Sequence, residues 1–345
     1  AGMHSMTPLW TSQEIAEAVN GRASAEFACK NIAFDSREIE QGDLFIALKG
    51  EVSDGHAYVD QCFEKGAAGA IVSSPVTGPH ILVADTTVAL EDLARAARAR
   101  VAAKIIGVTG SAGKTGTKEA LFAALDRFSR GHAHRSVKSY NNHVGVPLSL
   151  SRMPRDAQFG IFEMGMNHEG ELRALTRLVR PHIAIITTIA PAHIGHFAGE
   201  EAIAAAKAEI FEGLEPGGTA IIPADNPHYR QLRDAAEKYA DTVISFGFSE
   251  HADVRAVEYV DADNGGSLIT ASLPTGTLCY TLSQPGEHWI ANSLAILAAV
   301  HAAGADLAMA GLAMADLSGL AGRGARHEIA VPGGTALLID ESYNA

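Results

Sequence analysis

A succession of apolar segments alternating with helical ones constrains the middle of this chain more than any other feature. From Ile105 to about Val331, "KIIGVTG", "QFGIFEMG", "HIAIITTIA", "GTAIIPAD" and "DTVISFG" are apolar along their length, and "TKEALFAALDRF", "GELRALTRLV" and "AIAAAKAEIFEGL" between them have helical periodicity. Strands without polar alternation are covered on both faces, and helical connections let them run parallel. The expected class is therefore α/β, with a central parallel sheet. After Phe248 the pattern switches to alternation in "VRAVEYV", "SLITASLP" and "LCYTLSQ", with Thr275-Gly276 as a hairpin turn, so a β-hairpin insertion is expected before the helix "WIANSLAILAAVHAAG". The last residues, "HEIAVPGGTALLIDESYNA", read as another hairpin and suggest a truncated chain.

The first strand–helix junction carries the chemistry. "GVTGSAGKTGTKEAL", Gly107 to Leu121, has the spacing GxxGKT from Gly110 to Thr115 and departs from the strict Walker pattern, with Val at position 108. A glycine turn between a buried strand and a helix N-terminus aims backbone N–H groups at phosphate. Gly110, Ser111, Ala112 and Gly113 supply the turn, Lys114 reaches the outer phosphates and the Thr115 hydroxyl faces Mg²⁺. Glu163 ends the strand "QFGIFEMG", which places a carboxylate where ligands of open α/β sheets collect. His193 follows the strand "IAIITTIA" in the same way. Lys207 lies among alanines in "AIAAAKAEIF", where the ordinary reading is a lysine whose stem covers apolar surface.

A first unit of about a hundred residues precedes this region. Thr11 and Glu14 form a capping box, "NIAF", "DLFIAL", "GAIVSS" and "HILVAD" read as strands, and "HAYVDQCFEKG" is helical. A helix over Ala89 to Lys104 leads into the second unit. The net charge of −13 argues against neutralising a nucleic-acid backbone. Three scattered cysteines point to a reducing compartment, no apolar run reaches membrane-spanning length, and "AGMHSM" reads as an appended start. A cytoplasmic monomer follows as the expectation, neither inserted in a membrane nor bound to nucleic acid.

In chain order, "GVTGSAGKTGTKE", "SYNNHVGVPLSL", "EMGMNHEGEL", "PAHIGHF", "AAAKAEIF", "PGEHWIANSLAILAAV" and "LIDESYNA" resemble the motifs of the Mur ligases. The N-terminal "DSREIEQGDLFIALKGEVSDGHAYVDQCFEKGA" is similar to the UDP-binding domain of that family, so the resemblance runs from about Asp35 to the last residue. "NHEGEL" and the terminal "SYNA" favour its MurF branch over MurE. The resemblance implies a small N-terminal UDP-substrate-binding domain over 6–102 and a central P-loop ATPase domain over 103–331. Residues 332–345 would then be a hairpin and the start of a third, Rossmann-like domain that is otherwise absent, which would impair ligation.

The implied reaction is ATP-dependent amide formation in peptidoglycan precursor synthesis. A carboxylate of UDP-N-acetylmuramoyl-tripeptide takes the γ-phosphate, and the amine of D-alanyl-D-alanine captures the acyl phosphate. The resemblance assigns Lys114 to the ATP phosphates, Thr115 and Glu163 to one Mg²⁺, and His193 with a carbamylated Lys207 to a second. Asn292 matches an adenine contact, Arg323 an arginine near the nucleotide, and Glu341 an acid near the ribose where the family usually has Asp. Ser36 and Arg37 match uridine-side contacts, and Asn141 and Asn142 match substrate contacts. Ser139 and His143 depart from the family's pattern around that pair. Sibling ligases, namely MurE or folylpolyglutamate synthetase, and a non-catalytic nucleotide-binding module remain the alternatives.

Overall fold

A computed structural model of the chain describes residues 7–138, 140–189, 198–263 and 265–316, together with the backbone of Ala325–Val331 and Gly334–Asp340. The N-terminal unit opens with strand β1 (Trp10–Thr11) and helix α1 (Ser12–Val19). Thr11 Oγ1 accepts from Glu14 N at 3.2 Å while Glu14 Oε1 accepts from Thr11 N at 2.9 Å, the reciprocal cap the sequence predicts. The strands that follow are β2 (Arg22–Ala23), β3 (Ala28–Cys29), β4 (Asn31–Ala33), β5 (Asp43–Ile46), β6 (Gly69–Val72) and β7 (His80–Leu82). Five of them form a sheet in the order β2-β7-β6-β5-β4, parallel except at β2, while β3 pairs with β1. Helix α2 (Val59–Glu64) crosses between β5 and β6.

Helix α3 spans Thr86–Ala99, not Ala89–Lys104. It starts early because Asp85 accepts from the backbone N–H groups of Thr87 and Val88. It stops at Arg100, whose guanidinium donates to Leu9 O at 2.9 Å and lies over the Trp10 ring. Lys104 already belongs to the next sheet.

That sheet has nine strands: β8 (Lys104–Thr109), β9 (Ala133–Arg135), β10 (Phe159–Glu163), β11 (Ile183–Ile186), β12 (Thr219–Pro223), β13 (Thr242–Gly247), β14 (Val254–Asp261), β15 (Ser267–Leu273) and β16 (Gly276–Leu282). Their order is β16-β15-β14-β13-β12-β11-β8-β10-β9, parallel up to β14 and antiparallel beyond it. The expected hairpin insertion is thus a continuation of the main sheet. Its two-residue loop is Pro274-Thr275, with Gly276 starting β16 at φ +139°.

One face carries α4 (Lys114–Phe128), α9 (Glu287–Ala302) and α10 (Leu307–Asp316). The other carries α5 (Gly145–Ser151), α6 (Glu171–Val179), α7 (Glu200–Ala208) and α8 (Tyr229–Glu237). Covering both faces explains why β8, β10, β11 and β12 read as unbroken apolar runs. The two backbone-described strands β17 (Ala325–Val331) and β18 (Gly334–Asp340) form the antiparallel hairpin expected at the end.

The two units share apolar packing. Leu148 of α5 sits in the cluster of Ile15, Leu90 and Leu93, Trp10 Nε1 donates to Ser151 O at 2.9 Å, and Arg152 Nε donates to Ile32 O at 2.7 Å. Among the described residues no helix is long and apolar enough to cross a membrane.

Candidate nucleotide and metal site

β8 is first in sequence among the nine strands yet lies inside the sheet, with β10 on one side and β11 on the other. The chain reverses its direction of strand addition there, and in open α/β sheets ligands bind at the carboxyl ends flanking such a point. The Gly110–Thr115 loop leaves β8 at that place and enters α4, whose first turn has no side-chain cap. The N–H groups of that first turn and the positive end of the helix dipole point to an anion site.

The glycines are required by close neighbours. A Cβ on Gly110 would stand 1.9 Å from Thr187 Oγ1, and one on Gly113 would stand 2.5 Å from Asn292 Nδ2. Gly113 also has φ +82°, which side chains resist. Thr187, just past β11, closes the loop by donating to Ala112 O at 2.6 Å, and Ser111 N donates to Thr188 O at 2.9 Å. Gly116, one turn into α4, lies 2.7 Å in Cβ terms from the Trp289 ring, so α4 and α9 approach closely under the loop.

Lys114 and Lys207 converge: both ammonium groups donate to Gly110 O, at 3.1 and 3.0 Å. Lys207 is buried within the described fold, contrary to the ordinary reading of a surface lysine. Burial, and then the charge of Lys114, depress its pKa to about 7. Glu163 is also buried, and its Oε1 accepts from Thr115 Oγ1 at 2.9 Å and from Asn141 Nδ2 at 3.2 Å. Among the described residues its Oε2 has no hydrogen-bond partner, and it lies 3.4 Å from the ammonium of Lys118. Lys118 and Thr187 were not singled out by sequence reasoning. The signal for the first was available, since Lys118 is four residues after Lys114 and falls on the same helix face.

Asn292, on α9, lines a cavity of about 370 Å³ beside the loop. Its other walls come from Ala112, Asp225, Asn226, Phe246 and His288, which lie around the carboxyl ends of β12 and β13 and the start of α9. Asp225 is held by Phe248 N at 2.7 Å and Ser249 N at 2.9 Å. The volume and the mix of apolar wall with few polar groups suit a small aromatic ligand.

Ser36 and Arg37 stand in a short turn after β4, where Asp35 accepts from Arg37 N and from its guanidinium. The next residue, Glu38, receives Lys138 and Tyr140 Oη, the latter at 3.0 Å. Lys138 and Tyr140 therefore touch the N-terminal turn, and Asn141 touches the Glu163 carboxylate. Asn142 has a local role: its Oδ1 accepts from Gly145 N at 2.8 Å and from Val144 N at 3.3 Å, shaping the entry to α5. His193, Arg323 and Glu341 lie outside the described residues, as does Ser139.

Among the described residues no group of three His, Cys, Asp or Glu side chains could hold a metal ion. The donor set that fits Mg²⁺ is of another kind, with a hydroxyl at Thr115 and a buried carboxylate whose Oε2 has no hydrogen bond from the described residues. A protonated Lys207 does not fit a cation.

The same region matches known proteins. The family model for the Mur ligase middle domain covers residues 108–300, and that for the Mur ligase family, catalytic domain, covers 29–111. The chain is 33% identical to the UDP-N-acetylmuramoyl-tripeptide–D-alanyl-D-alanine ligase of Escherichia coli K12 over 97% of its length and 73% of that protein. It is 34% identical to the Bacillus subtilis enzyme of that name, over 97% of this chain and 72% of the relative. Among solved structures, a MurF from Acinetobacter baumannii superposes with TM-score 0.84 at 34% identity, covering 97% of this chain and 73% of that one. A Thermotoga maritima MurF in complex with ADP gives TM-score 0.74 at 25% identity, covering 90% of this chain and 70% of that one. The chain belongs to the Mur ligase family.

Proposed function

We propose that this chain joins D-alanyl-D-alanine to UDP-N-acetylmuramoyl-tripeptide in peptidoglycan precursor synthesis, using ATP and passing through an acyl phosphate. The observation that carries the reading is the convergence of Lys114, Lys207, Thr115 and Glu163 on one loop, tied through Asn141 and Tyr140 to the Ser36–Glu38 turn. A substrate held at that turn by its uridine end would extend its peptide towards the phosphates.

Phosphoryl transfer asks mainly for positioning and charge neutralisation. The loop N–H groups and Lys114 would bind the β- and γ-phosphates, and the cavity walled by Asn292 and His288 would take the base. Thr115 and Glu163 would hold one Mg²⁺, and His193 with Lys207 a second. Bound there, the ions would neutralise charge on the transferring phosphoryl group. The low pKa of Lys207 leaves a useful fraction of neutral amine near pH 7. That amine can add to CO₂, giving a carbamate and releasing one proton, and the carbamate oxygens make the lysine a fitting metal ligand. Residues 6–102 are read as the UDP-substrate domain and 103–331 as the ATP domain.

Calorimetric titration with UDP-N-acetylmuramoyl-tripeptide tests the reading. Saturable binding of that ligand and, separately, of ADP is expected. Binding of ADP alone would return the chain to a nucleotide-binding module. Phosphate release stimulated by a single amino acid rather than D-alanyl-D-alanine would instead assign it to a sibling ligase.

A further inference from the structure

Lys118 has no part in the reading above, yet it is one of the largest side chains with no exposure at all. Its ammonium donates to Lys138 O at 2.7 Å and stands 3.4 Å from both Glu163 Oε2 and Glu119 Oε1. Glu119 is in turn held by Arg135 Nε at 2.9 Å. A buried charge set of this sort is a poor device for stability alone, because desolvation offsets most of the attraction.

The carbonyl that Lys118 holds belongs to Lys138, whose φ of +53° is unusual for a side-chain-bearing residue. Ser136 and Asn141 in turn orient Glu163, the first through its Oγ, which accepts from Glu163 N at 3.2 Å, and the second through its Nδ2. Lys118 thus contacts the carboxylate directly and clamps the Lys138 carbonyl, which lies between Ser136 and Asn141 in sequence.

We propose that Lys118 is a positioning residue for the metal site: its ammonium fixes the direction of the Glu163 carboxylate and the strained turn at Lys138. The inference rests on the reading of Glu163 as a metal ligand. Residues that orient metal ligands without touching the ion are commonly needed for full affinity.

The test is Mn²⁺ titration of the full chain with saturating ADP, followed by the electron paramagnetic resonance of the free ion. It compares the parent with Lys118→Met, Lys118→Arg, Glu163→Gln and the Lys118→Met/Glu163→Gln pair. Glu163→Gln and Lys118→Met are each expected to weaken Mn²⁺ roughly tenfold or more. Metal-free ADP affinity stays unchanged in Lys118→Met, and Lys118→Arg falls between parent and Lys118→Met. The double variant is expected to lie within about twofold of Glu163→Gln, since one residue acts through the other.

Parental or tighter Mn²⁺ binding in Lys118→Met overturns the proposal, as do losses that multiply in the double variant. If Lys118→Met does not fold, Lys118→Arg decides: its guanidinium keeps the charge but not the three-point geometry, and unchanged Mn²⁺ affinity would overturn positioning. Unchanged binding in Glu163→Gln removes the metal reading itself, whereas a weakened Glu163→Gln beside an unaffected Lys118→Met removes only this inference.

Discussion

The phosphate end of the central sheet and the Ser36–Glu38 turn of the N-terminal unit both gather charged side chains around a loop, and they differ in burial. Glu163, Lys118 and Lys207 are 1%, 0% and 2% exposed. The Arg37 and Lys138 side chains are 86% and 62% exposed. Charges in the first place interact through protein and have fixed partners, whereas those in the second are screened by water. A single substitution should therefore be felt strongly at the phosphate end and weakly at the turn, and each prediction below tests one side of that contrast.

The largest effect is expected for Gly110→Ala. The added methyl would overlap Thr187 Oγ1, which itself closes the loop onto Ala112. Overpacking of this kind costs about 1–3 kcal/mol of stability, and reshaping the loop should lower ADP affinity by roughly a hundredfold. A thermal melt and an ADP titration measure the two. Parental ADP affinity would mean that the loop tolerates a geometry other than the one observed.

Lys207→Met comes next. The apolar side chain suits the buried position, so the fold should survive while one of two bound Mn²⁺ ions is lost. In the parent, native mass spectrometry in bicarbonate should show one added CO₂, with occupancy rising as pH passes about 7 and absent from Lys207→Met. Stability has the same sign. The folded chain holds this pKa below the ordinary lysine value of 10.5, so between the two values the unfolded chain binds more protons and stability rises with pH. No added mass at any pH would remove the carbamate from the reading.

The same contrast explains what was legible in the sequence. The loop, its strand and its helix are local, so "GVTGSAGKTGTKEAL" exposes Gly110 to Thr115 directly. Glu163 was found because a strand end is also a local signal. The burial of Lys207 was not legible, since "AAAKAE" reads as a helix surface and only the packing of α7 against the loop decides otherwise. Asn142 carries a role the motif did not show: offered as a substrate contact, it also places its side-chain carbonyl at the entry to α5. The helix over Thr86–Ala99 was shifted because the Asp85 cap precedes the alanine-rich pattern and the Arg100 contact with Trp10 is long-range. Thr187 and Trp289, which dictate Gly110 and Gly116, are distant in sequence and could not be paired with them by spacing.

Glu38→Gln probes the seam between the two regions. Glu38 lies 4.0 Å from Arg152 Nη2 and accepts from Tyr140 Oη at 3.0 Å, with Lys138 as a third partner. Burial raises its pKa, but the bonds from Lys138 and Tyr140 outweigh that and hold it below the usual carboxylate range. Neutralising it should weaken UDP-N-acetylmuramoyl-tripeptide binding several-fold and cost about 1 kcal/mol or less of stability. ADP affinity should not move. A parallel loss of ADP would show that the seam and the phosphate end are one unit.

The smallest effect is expected for Arg37→Ala. Its guanidinium is exposed and tied back to Asp35, whose pKa the Arg37 bonds lower to about 2. The folded value lies below the unfolded one, so the contribution of this pair is lost only as pH falls through the acid range and is constant near neutrality. The melting temperature of the variant should match the parent from pH 6 to 8, and ADP and Mn²⁺ binding should match as well. Only the affinity for the UDP-linked ligand should drop, by a few-fold, because an exposed cation meets a charged ligand through a screened field. The two regions then separate by pH alone. Raising it through about 7 should change metal binding at Lys207 and leave recognition at Arg37 unaltered, and a UDP-ligand affinity that followed the metal curve would join them.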